Sequence, residues 1–452
     1  MRFGRFHPGC LVASLCGAAA LVSPAAAIAD APWSTPQTIG GTCCSQQQLL
    51  ALPAGGIALG GDTGLSLVQT PGGKPSFTAP VGFTGLVSPS GVLGPLALVG
   101  GGRTVEQMMP AGSGGIRTFG TIGTGETLSP ASGRPGHTLA GSSSLNIPQA
   151  FVQATTDDAV LLRLCTKDCG GPSGLDVSRY RGGRWSAPRA ITQPSTEVRG
   201  GALTTMADGT IAVAYERNHA IYVRRLSPGG RLSPAQRLGT GVQSEISIAS
   251  LGGQRLAVGW SWQRVDEGDA ASPFEAQVAC STGIGHFSGR SHVLASIPVT
   301  GEGDYVSGPG LSMKQDGTGR VTLAWTAYAD GRFVVRTSGL STSCATAAQT
   351  VALPGADSVL GGLAVAPSGQ ATVAILGGVY GDVAGRPGGT ESAHGILATE
   401  RTSAGAAFGA PVQVSAADDG EVEPVVAIDA TSGRSVLAWR NVAASIQYAS
   451  AP

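Results

Sequence analysis

The chain has 452 residues, and its 29 basic and 29 acidic residues leave no net charge at pH 7. Charged residues make up only 13% of the chain, so we expect no charged surface that would steer it to nucleic acid. The 42% hydrophobic content argues against a disordered chain, and 70 glycines and 28 prolines favour many short strands joined by tight turns.

The first 29 residues have the features of a secretory signal peptide. Arg2 and Arg5 form a positive end, and Leu11–Val22 is an apolar core too short to span a bilayer as a helix. Ala27-Ile28-Ala29 has the small-x-small pattern of a cleavage site. We therefore predict that residues 1–29 are removed and that the mature chain begins at Asp30.

Cys16 raises the alternative of a lipoprotein signal. Leu15 precedes it where a lipid-attachment site has a small residue, so cleavage after Ala29 is the preferred interpretation. No later apolar run reaches the ~18 residues of a membrane helix. We expect an exported monomer without a membrane span, either secreted to the extracellular space or associated with the cell envelope.

A pattern of four strands recurs along most of the mature chain. Its clearest part is a glycine turn followed by an apolar run that ends on an aromatic residue, as in Gly209–Tyr215, Gly253–Trp260, Gly319–Trp325 and Gly433–Trp439. One strand precedes this run and two follow it, and the fourth contains a proline, which suits an edge strand. Repeats of four antiparallel strands are typical of β-propeller blades.

The spacing of the units predicts the number of blades. First strands are expected to begin near Gln47, Gly82, Asn146, Gly201, Glu245, Gly308, Gly361 and Glu423. The mean period of about 50 residues lies in the range of propeller repeats. Because the units before Gly200 are degenerate, seven blades are also compatible. The prediction is an all-β propeller of about eight, or seven, four-stranded antiparallel blades in one domain over residues 30–452.

The N-terminal segment supplies a strand that the last unit lacks. The last unit ends at Tyr448, after its third strand. Pro32–Ile39 matches the fourth-strand segment Arg184–Ile191 closely, and both contain Trp-Ser followed two residues later by proline. We therefore predict that residues 30–40 complete the last blade and close the ring, which would hide edges open to pairing with another chain.

The cysteines favour disulfide bonds. Two leave with the signal peptide, and an even number remains in an exported chain: Cys43, Cys44, Cys165, Cys169, Cys280 and Cys344. Cys280 and Cys344 fall in adjacent units and are candidates for a bridge between blades. Cys165 is expected to bridge to Cys169, which leaves a Cys43–Cys44 bridge or exchanged partners. The spacings fit no zinc motif, and we predict no metal site and no cofactor.

Two turn segments resemble a known family. Arg181–Pro188 and Ser403–Val412 are similar to the Asp-box (BNR-like) repeats of bacterial sialidases and their non-enzymatic relatives. The resemblance implies a propeller and, for an enzyme, an arginine cluster that clamps a carboxylate beside a Tyr/Glu pair and an acid. The family's aspartate is absent from every copy, as in Ser227–Gly230, and so is its Arg-Ile-Pro signature. No catalytic residue is therefore carried over.

Position in the repeat predicts a binding face instead. The loops that enter first strands and those that join second to third strands concentrate charged residues in a chain that has few of them. The candidates are Arg199, Glu216, Arg217, Arg264, Asp304, Tyr305 and Arg440, with Asp266, Glu267, Asp418, Glu421 and Asn441 in the same loops. The competing interpretation is that these are solvated loop tips.

These observations favour a non-catalytic module that binds or scaffolds a glycan, a peptide or a cell-surface partner. The first alternative is a diverged glycoside hydrolase of sialidase-like build. Three arginines converging on one pocket, with a tyrosine–carboxylate pair and an acid, would distinguish it. A second alternative is a structural envelope protein, since fold alone does not decide among them.

Overall fold

The structure is a computed structural model, and all that it describes lies in Trp33–Pro452, one of two units into which the chain separates. The described residues are 33–40, 47–62, 66–68, 76–78, 82–98, 107–111, 116–122, 125–130, 137–138, 146–155, 158–165, 174–193, 198–241, 245–263, 274–283, 286–287, 291–297, 310–340, 344, 347–351, 357–377, 395–415, 422–440 and 445–452. They contain strands and no helix.

The strands are numbered in chain order, beginning with β1 (Gln37–Gly40). Sheet 1 and a hairpin inserted in it comprise β2 (Gln47–Ala51), β3 (Ile57–Asp62), β4 (Ser66–Val68), β5 (Ser76–Thr78), β6 (Gly82–Val87) and β7 (Ala97–Leu98). Sheet 2 comprises β8 (Gln107–Pro110), β9 (Ile116–Ile122), β10 (Gly125–Pro130) and β11 (His137–Thr138). Sheet 3 comprises β12 (Asn146–Thr155), β13 (Asp158–Cys165), β14 (Gly174–Arg181), β15 (Arg184–Trp185) and β16 (Arg189–Ala190).

The second half of the chain continues the same series. Sheet 4 comprises β17 (Val198–Thr205), β18 (Ile211–Arg217), β19 (Ala220–Leu226) and β20 (Gln236–Thr240). Sheet 5 comprises β21 (Glu245–Ser250), β22 (Leu256–Gln263), β23 (Phe274–Cys280) and β24 (His292–Ile297). Sheet 6 comprises β25 (Leu311–Gln315), β26 (Val321–Ala329), β27 (Arg332–Leu340) and β28 (Gln349–Val351). Sheet 7 comprises β29 (Ser358–Val365), β30 (Ala371–Gly377), β31 (Gly395–Arg401) and β32 (Val412–Gln413). Sheet 8 comprises β33 (Val422–Ile428), β34 (Ser435–Arg440), β35 (Ile446–Ala451) and β1.

The sheets are arranged as the blades of a propeller. Within each sheet, consecutive strands pair antiparallel in an up-and-down order. First strands of neighbouring sheets pack side by side, as β17 does with β21 and β21 with β25. Each neighbouring pair of sheets buries a shared apolar cluster, and one such cluster joins sheet 8 to sheet 1 through Tyr448 and Leu59. The predicted all-β propeller is confirmed.

Glycine turns set the hairpins between first and second strands. Met206 N donates to Thr210 O at 2.8 Å, and Gly209 N donates to Met206 O at 2.9 Å. Gly209 has φ of 79° and Gly319, at the same place in sheet 6, has φ of 87°. A glycine adopts this left-handed conformation without steric cost, which explains why the repeat places one at each of these turns.

Three tryptophans of the second strands belong to the core. Trp260 and Trp439 are fully buried, and Trp325 is 2% exposed. Each packs in the cluster between its own sheet and a neighbour. Burying a large side chain of this kind stabilises the fold by a few kcal/mol, so these residues hold neighbouring sheets together.

The N-terminal strand closes the ring, as predicted. β1 pairs antiparallel with β35, with Gln37 opposite Tyr448. Tyr448 Oη donates a hydrogen bond to Gln37 Oε1 at 2.7 Å. Trp33 and Ile39 pack against apolar clusters that contain residues of sheet 8. The segment therefore takes the place of the missing fourth strand.

One predicted strand start is wrong. Gly82 was expected to begin the second unit, but it begins β6, the third strand of sheet 1, and sheet 2 begins instead at Gln107. The cause is an insertion between β3 and β6 that contains the β4–β5 hairpin and separates strands that the repeat would place close together. The other predicted starts lie within three residues of observed first strands.

The predicted bridge between adjacent units is present. Cys280, at the end of β23 in sheet 5, forms a disulfide with Cys344, which follows β27 in sheet 6. Both residues are buried in the cluster between these sheets. Cys165 lies at the end of β13, opposite Gly174. The remaining candidates, Cys43, Cys44 and Cys169, lie outside the described residues.

Candidate functional site

The predicted loop face is only partly within the described residues. Arg199 and Glu216 are opposite each other in the β17–β18 ladder, and Arg217 follows Glu216 at the end of β18. Glu216 is 1% exposed, so its carboxylate is not offered to solvent. Arg217 is half-buried, and its Nε has no hydrogen-bond partner in the described part of the chain.

The other members of that face do not join this group. Arg440 ends β34 in sheet 8, opposite Val422. Several candidates lie outside the described residues: Arg264, Asp266, Glu267, Asp304, Tyr305, Asp418, Glu421 and Asn441. Among the predicted residues that the structure describes, it therefore brings together only Arg199, Glu216 and Arg217.

A cleft with a volume of 1120 Å³ opens at the other end of sheets 4 and 5. The turn between β17 and β18 supplies Asp208, the turn between β21 and β22 supplies Gln254, and the β23–β24 connection supplies His286. The rest of the lining comes largely from the β19–β20 hairpin. These turns join first to second and third to fourth strands, so the cleft lies on the face opposite to the predicted one.

The cleft combines charged, polar and apolar side chains. Arg224, Arg225 and Arg231 line it together with the hydroxyl side chains of Ser227 and Thr210. Apolar surface comes from Met206, Val223, Pro228, Leu232 and Pro234. Ligand sites generally combine an apolar lining with a few placed polar groups, and this cleft has that composition.

Arg225 is the least satisfied cation of the cleft. It lies in β19 opposite Ala212 and is half-buried. Burial lowers the pKa of its guanidinium, although the charge of Asp208 acts in the opposite direction. Its Nη2 is buried and has no hydrogen-bond partner among the described residues. A buried donor without an acceptor costs about 1–3 kcal/mol, so this arginine needs an explanation.

The carboxylate of Asp208 is already engaged by its surroundings. Its Oδ1 accepts a hydrogen bond from Thr210 N at 2.9 Å, and its Oδ2 accepts one from Gln254 Nε2 at 3.3 Å. The second bond links sheet 4 to sheet 5 across the cleft floor. Asp208 therefore contributes to the positioning of two turns, and it makes no ion pair with Arg225 in the described structure.

The other two arginines of the cleft have different roles. Arg224 Nε donates to Ser233 O at 2.9 Å, and Arg224 Nη1 donates to Ile191 O in sheet 3. These bonds fix the Arg224 side chain to backbone carbonyl groups, so its role is structural. Arg231 lies at the hairpin tip and is exposed.

Arg225 has a counterpart in sheet 3, Arg179, which exchanges with Ser186 the two hydrogen bonds that Arg225 exchanges with Ser233. Arg179 forms an ion pair with Asp158 at 2.7 Å, whereas Arg225 has no such partner among the described residues. The position of Arg225 faces the second residue of the second strand, Ala212 in sheet 4. In sheets 1, 2 and 5 to 8 the residues at this place are Leu86, Pro130, Cys280, Gly339, Glu400 and Ser450. The propeller does not require a cation there. Alignment of the repeat units would have drawn attention to the strand arginines of sheets 3 and 4, whereas weighing only charges in loops did not.

The hairpin tip beside Arg225 is held by a serine side chain. Ser227 N donates to Arg231 O at 2.9 Å, and Arg231 N donates to Ser227 Oγ at 2.9 Å. In sheet 1, Val92 N donates to Ser88 Oγ at 3.2 Å. A serine hydroxyl thus holds the turn between third and fourth strands in both sheets.

No metal centre is found in the described part of the chain. No group of three or more histidine, cysteine, aspartate or glutamate side chains there could hold an ion. Two buried aspartates, Asp316 and Asp429, instead accept hydrogen bonds from their own hairpin turns. Asp316 Oδ1 accepts hydrogen bonds from Thr318 N at 2.8 Å and Arg320 N at 3.0 Å.

In the described part of the chain, no helix has the length and apolar character to cross a membrane.

Sequence comparison identifies no relatives of this protein. Neither the known protein families nor the curated proteins give a match. Solved structures do resemble it. An exo-1,5-α-L-arabinanase from a bovine ruminal metagenomic library is 14% identical and aligns over 55% of this chain and 97% of its own, with a TM-score of 0.31.

Two further structures cover more of the chain. The polysaccharide lyase Uly1 is 10% identical over 76% of this chain and 88% of its own, with a TM-score of 0.40. A chain from the complex of Drosophila plexin A with semaphorin 1b is 10% identical over 94% of this chain and 87% of its own, with a TM-score of 0.37. Likenesses at this level carry no argument about activity, and the fold rests on the strand topology.

Proposed function

We propose that this chain is an exported, non-catalytic β-propeller that binds an acidic partner in the cleft between sheets 4 and 5. The partner is a glycan or a peptide of a cell surface that carries a carboxylate. One observation carries the proposal: Arg225 is a partly desolvated cation in a cleft of 1120 Å³, and no described acid pairs with it. A ligand carboxylate would supply the missing countercharge, and arginine binds carboxylates through paired hydrogen bonds.

The remainder of the lining supports a ligand of mixed character. Arg231 is exposed at the rim, where it would attract an anion before contact. Gln236 lines the cleft, and its Nε2 donates to Phe287 O of sheet 5 at 3.3 Å, so the wall is held in place. Prolines and aliphatic residues supply apolar surface of the kind that packs against sugar rings or peptide side chains.

The runner-up is the diverged sialidase-like hydrolase. The specific observation in its favour is that Arg224, Arg225 and Arg231 share one cleft with Asp208, which partly meets the requirement for converging arginines. Two facts weaken it. Arg224 is bound to backbone carbonyls, and no tyrosine lines the cleft among the described residues. The resemblance to Asp-box proteins includes non-enzymatic relatives and agrees with either function.

Export is part of the proposal and has its own test. The signal-like residues 1–29 predict that the mature chain starts at Asp30. Expression of the full chain in a bacterial host, followed by N-terminal sequencing of the protein outside the cytoplasm, should give Asp30 as the first residue. Recovery of only the uncleaved chain in the cytoplasm would contradict it.

Binding is tested with the secreted, oxidised protein on an array of acidic glycans, neutral glycans and acidic peptides. Three variants are compared with the wild type. Arg225→Gln changes the cleft, Arg217→Gln changes the predicted loop face, and Arg237→Gln removes an exposed charge on β20 outside the cleft. We expect binding of an acidic ligand to weaken about tenfold or more in Arg225→Gln, as for a lost charged hydrogen bond, and to persist in the other two.

The alternative outcomes are informative. Loss of binding in Arg217→Gln, with binding retained in Arg225→Gln, would indicate that the site lies on the predicted loop face instead. Turnover of fluorogenic glycosides that disappears in Arg225→Gln would favour the hydrolase. Absence of any acidic ligand on the array, or equal loss in all three variants, would contradict the proposal.

A further inference from the structure

A second cavity runs along the inner strands of the propeller. It has a volume of 370 Å³ and is lined by residues of the first strands of several sheets, including Gln107, Val152, Thr204, Ser247 and Lys314. Each first strand is the end strand of its sheet and pairs with one neighbour only. Its other backbone edge therefore offers N–H and C=O groups to the space between the sheets. We call this cavity the central channel.

Lys314 is the single charged residue that lines the central channel in the part of the chain that the structure describes. It lies in β25 opposite Thr322, and its side chain is exposed to the interior of the channel. Lysine is rare in this protein, with Lys74 and Lys167 as the other two. A cation in this position is therefore not the result of a lysine-rich composition.

No acid in the described part of the chain is placed to pair with Lys314. Strands β21, β22, β26 and β29 pack against β25, and among their residues only Glu245 is charged. Glu245 accepts a hydrogen bond from Gly310 N at 2.8 Å through Oε2. The carboxylate of Asp316, just beyond β25, is occupied by the amides of its own turn.

The channel walls also affect the proton affinity of this lysine. A water molecule can reach the side chain from within the channel, but the surrounding strands displace most bulk water, and this desolvation lowers the pKa of Lys314. A bound anion would reverse part of that effect, because an opposite charge nearby favours the ammonium form.

We propose that the central channel is a second binding site, in which the Lys314 ammonium holds a small organic carboxylate or phosphate. Ser247 supplies a further contact: its Oγ accepts a hydrogen bond from Met313 N at 3.0 Å, which leaves the hydroxyl proton free to donate to a ligand. Thr204 and the free edges of the inner strands line the same space. Ligand pockets usually measure about 300–1,000 Å³, so this volume suits a small anion. The site is independent of the cleft between sheets 4 and 5.

The small number of lysines makes the site directly observable. Reductive methylation with ¹³C-formaldehyde labels the three lysines and the N-terminal amine and preserves their charge. The signal missing from Lys314→Gln identifies Lys314. Titration with inorganic phosphate, and separately with succinate, should shift the Lys314 signal saturably and raise its apparent pKa, while the signals of Lys74 and Lys167 stay constant.

Thermal unfolding of the unlabelled protein gives a second readout. Phosphate or succinate should raise the melting temperature of the wild type and of Lys314→Arg, which keeps the charge, but not that of Lys314→Gln. Arg320→Gln removes an exposed cation outside the channel and should keep the rise. A shift that does not saturate, that affects all three lysine signals alike, or that persists in Lys314→Gln would overturn the proposal. A response to only one of the two anions would identify the chemical class.

Discussion

Ser34 and Ser450 are joined by two hydrogen bonds. Ser34 N donates to Ser450 O at 2.8 Å, and Ser450 N donates to Ser34 Oγ at 3.0 Å. Ser186 and Arg179 of sheet 3 make the same pair of bonds, at 2.7 Å and 3.0 Å. The residues before β1 are therefore held against sheet 8 by the contacts that a fourth-strand segment makes elsewhere in the propeller.

Deletion of residues 30–40 should destabilise the protein sharply. The deletion exposes the edge of β35 and removes the partial burial of Trp33 and Ile39, for which we expect a loss of roughly 3–6 kcal/mol in the free energy of unfolding. Ser34→Ala should cost only about 1 kcal/mol, since it removes one hydrogen bond. Thermal unfolding measures both. A synthetic peptide of residues 30–40 should raise the melting temperature of the truncated protein, and an unchanged melting temperature after the deletion would rule out ring closure by β1.

Replacement of Cys280 and Cys344 by alanine should lower stability. The disulfide joins residues 64 apart in sequence, and closing a loop of this length stabilises a protein by about 4 kcal/mol in the chain-entropy description, often less when measured. We expect a loss of about 2–4 kcal/mol in chemical denaturation. The wild type in the presence of a reductant should approach the variant. Equal stability of the oxidised wild type and the variant would show that the bridge contributes nothing to the native state.

Asp429→Asn should change how stability depends on pH. Burial alone would raise the pKa of Asp429, but hydrogen bonds from Thr431, Ser432 and the Gly56 amide outweigh it. The pKa therefore lies below its ordinary value of 3.8. The carboxylate stabilises the fold above about pH 4, and the contribution is lost as pH falls through the folded pKa.

We expect Asp429→Asn to lower the free energy of unfolding by about 1–3 kcal/mol at pH 7. The difference from wild type should shrink as the pH falls below about 4 and the wild-type carboxylate becomes protonated. Denaturation series across this range provide the measurement. Asp208→Asn, at an exposed turn, is the control and should change stability by less than about 0.5 kcal/mol. A constant difference at all pH values would refute this account of Asp429.

Gly259→Ala should destabilise the interface between sheets 5 and 6. A Cβ at Gly259 in β22 would lie 2.6 Å from Leu311 Cδ2 in β25, closer than atoms pack. Overpacking of a core typically costs about 1–3 kcal/mol. Gly339→Ala in β27 is the matched control, since its Cβ would meet no atom within 4 Å. We expect it to be neutral or slightly stabilising, because alanine restricts the unfolded chain. Equal effects of the two substitutions in thermal unfolding would contradict the packing argument.

Local chemistry accounts for what the sequence predicts correctly. The Gly209 and Gly319 turns depend on φ near 80°, a requirement that a glycine in the right place reveals without knowledge of the fold. The sequence match between the segments around Trp33 and Trp185 likewise has a local cause, because Ser34 and Ser186 make the same hydrogen bonds in their sheets. The position of Gly82 was misjudged because an insertion interrupts the period, and periodicity gives no information about a hairpin that leaves the sheet.

The candidate site was harder to predict because it depends on contacts between sheets. Glu216 has the position of a surface ligand in the repeat, yet neighbouring packing buries it. Arg225 stands in an ordinary strand, and only the juxtaposition of sheet 4 with the turns of Asp208 and Gln254 makes it part of a cleft. Lys314 becomes a channel residue for the same reason. Such properties belong to pairs of blades and do not appear in any one unit.

Closure by β1 also affects how the protein is made. The hydrogen bond between Gln37 and Tyr448 spans 411 residues, so β1 is synthesised long before its partner strand β35. A chain terminated before β35 would keep β1 unpaired and the edge of β34 open, and both favour aggregation and attract proteases. The seam between β1 and β35 thus distinguishes molecules that contain β35 from truncated ones, and a protease recognises the truncated ones by this difference alone.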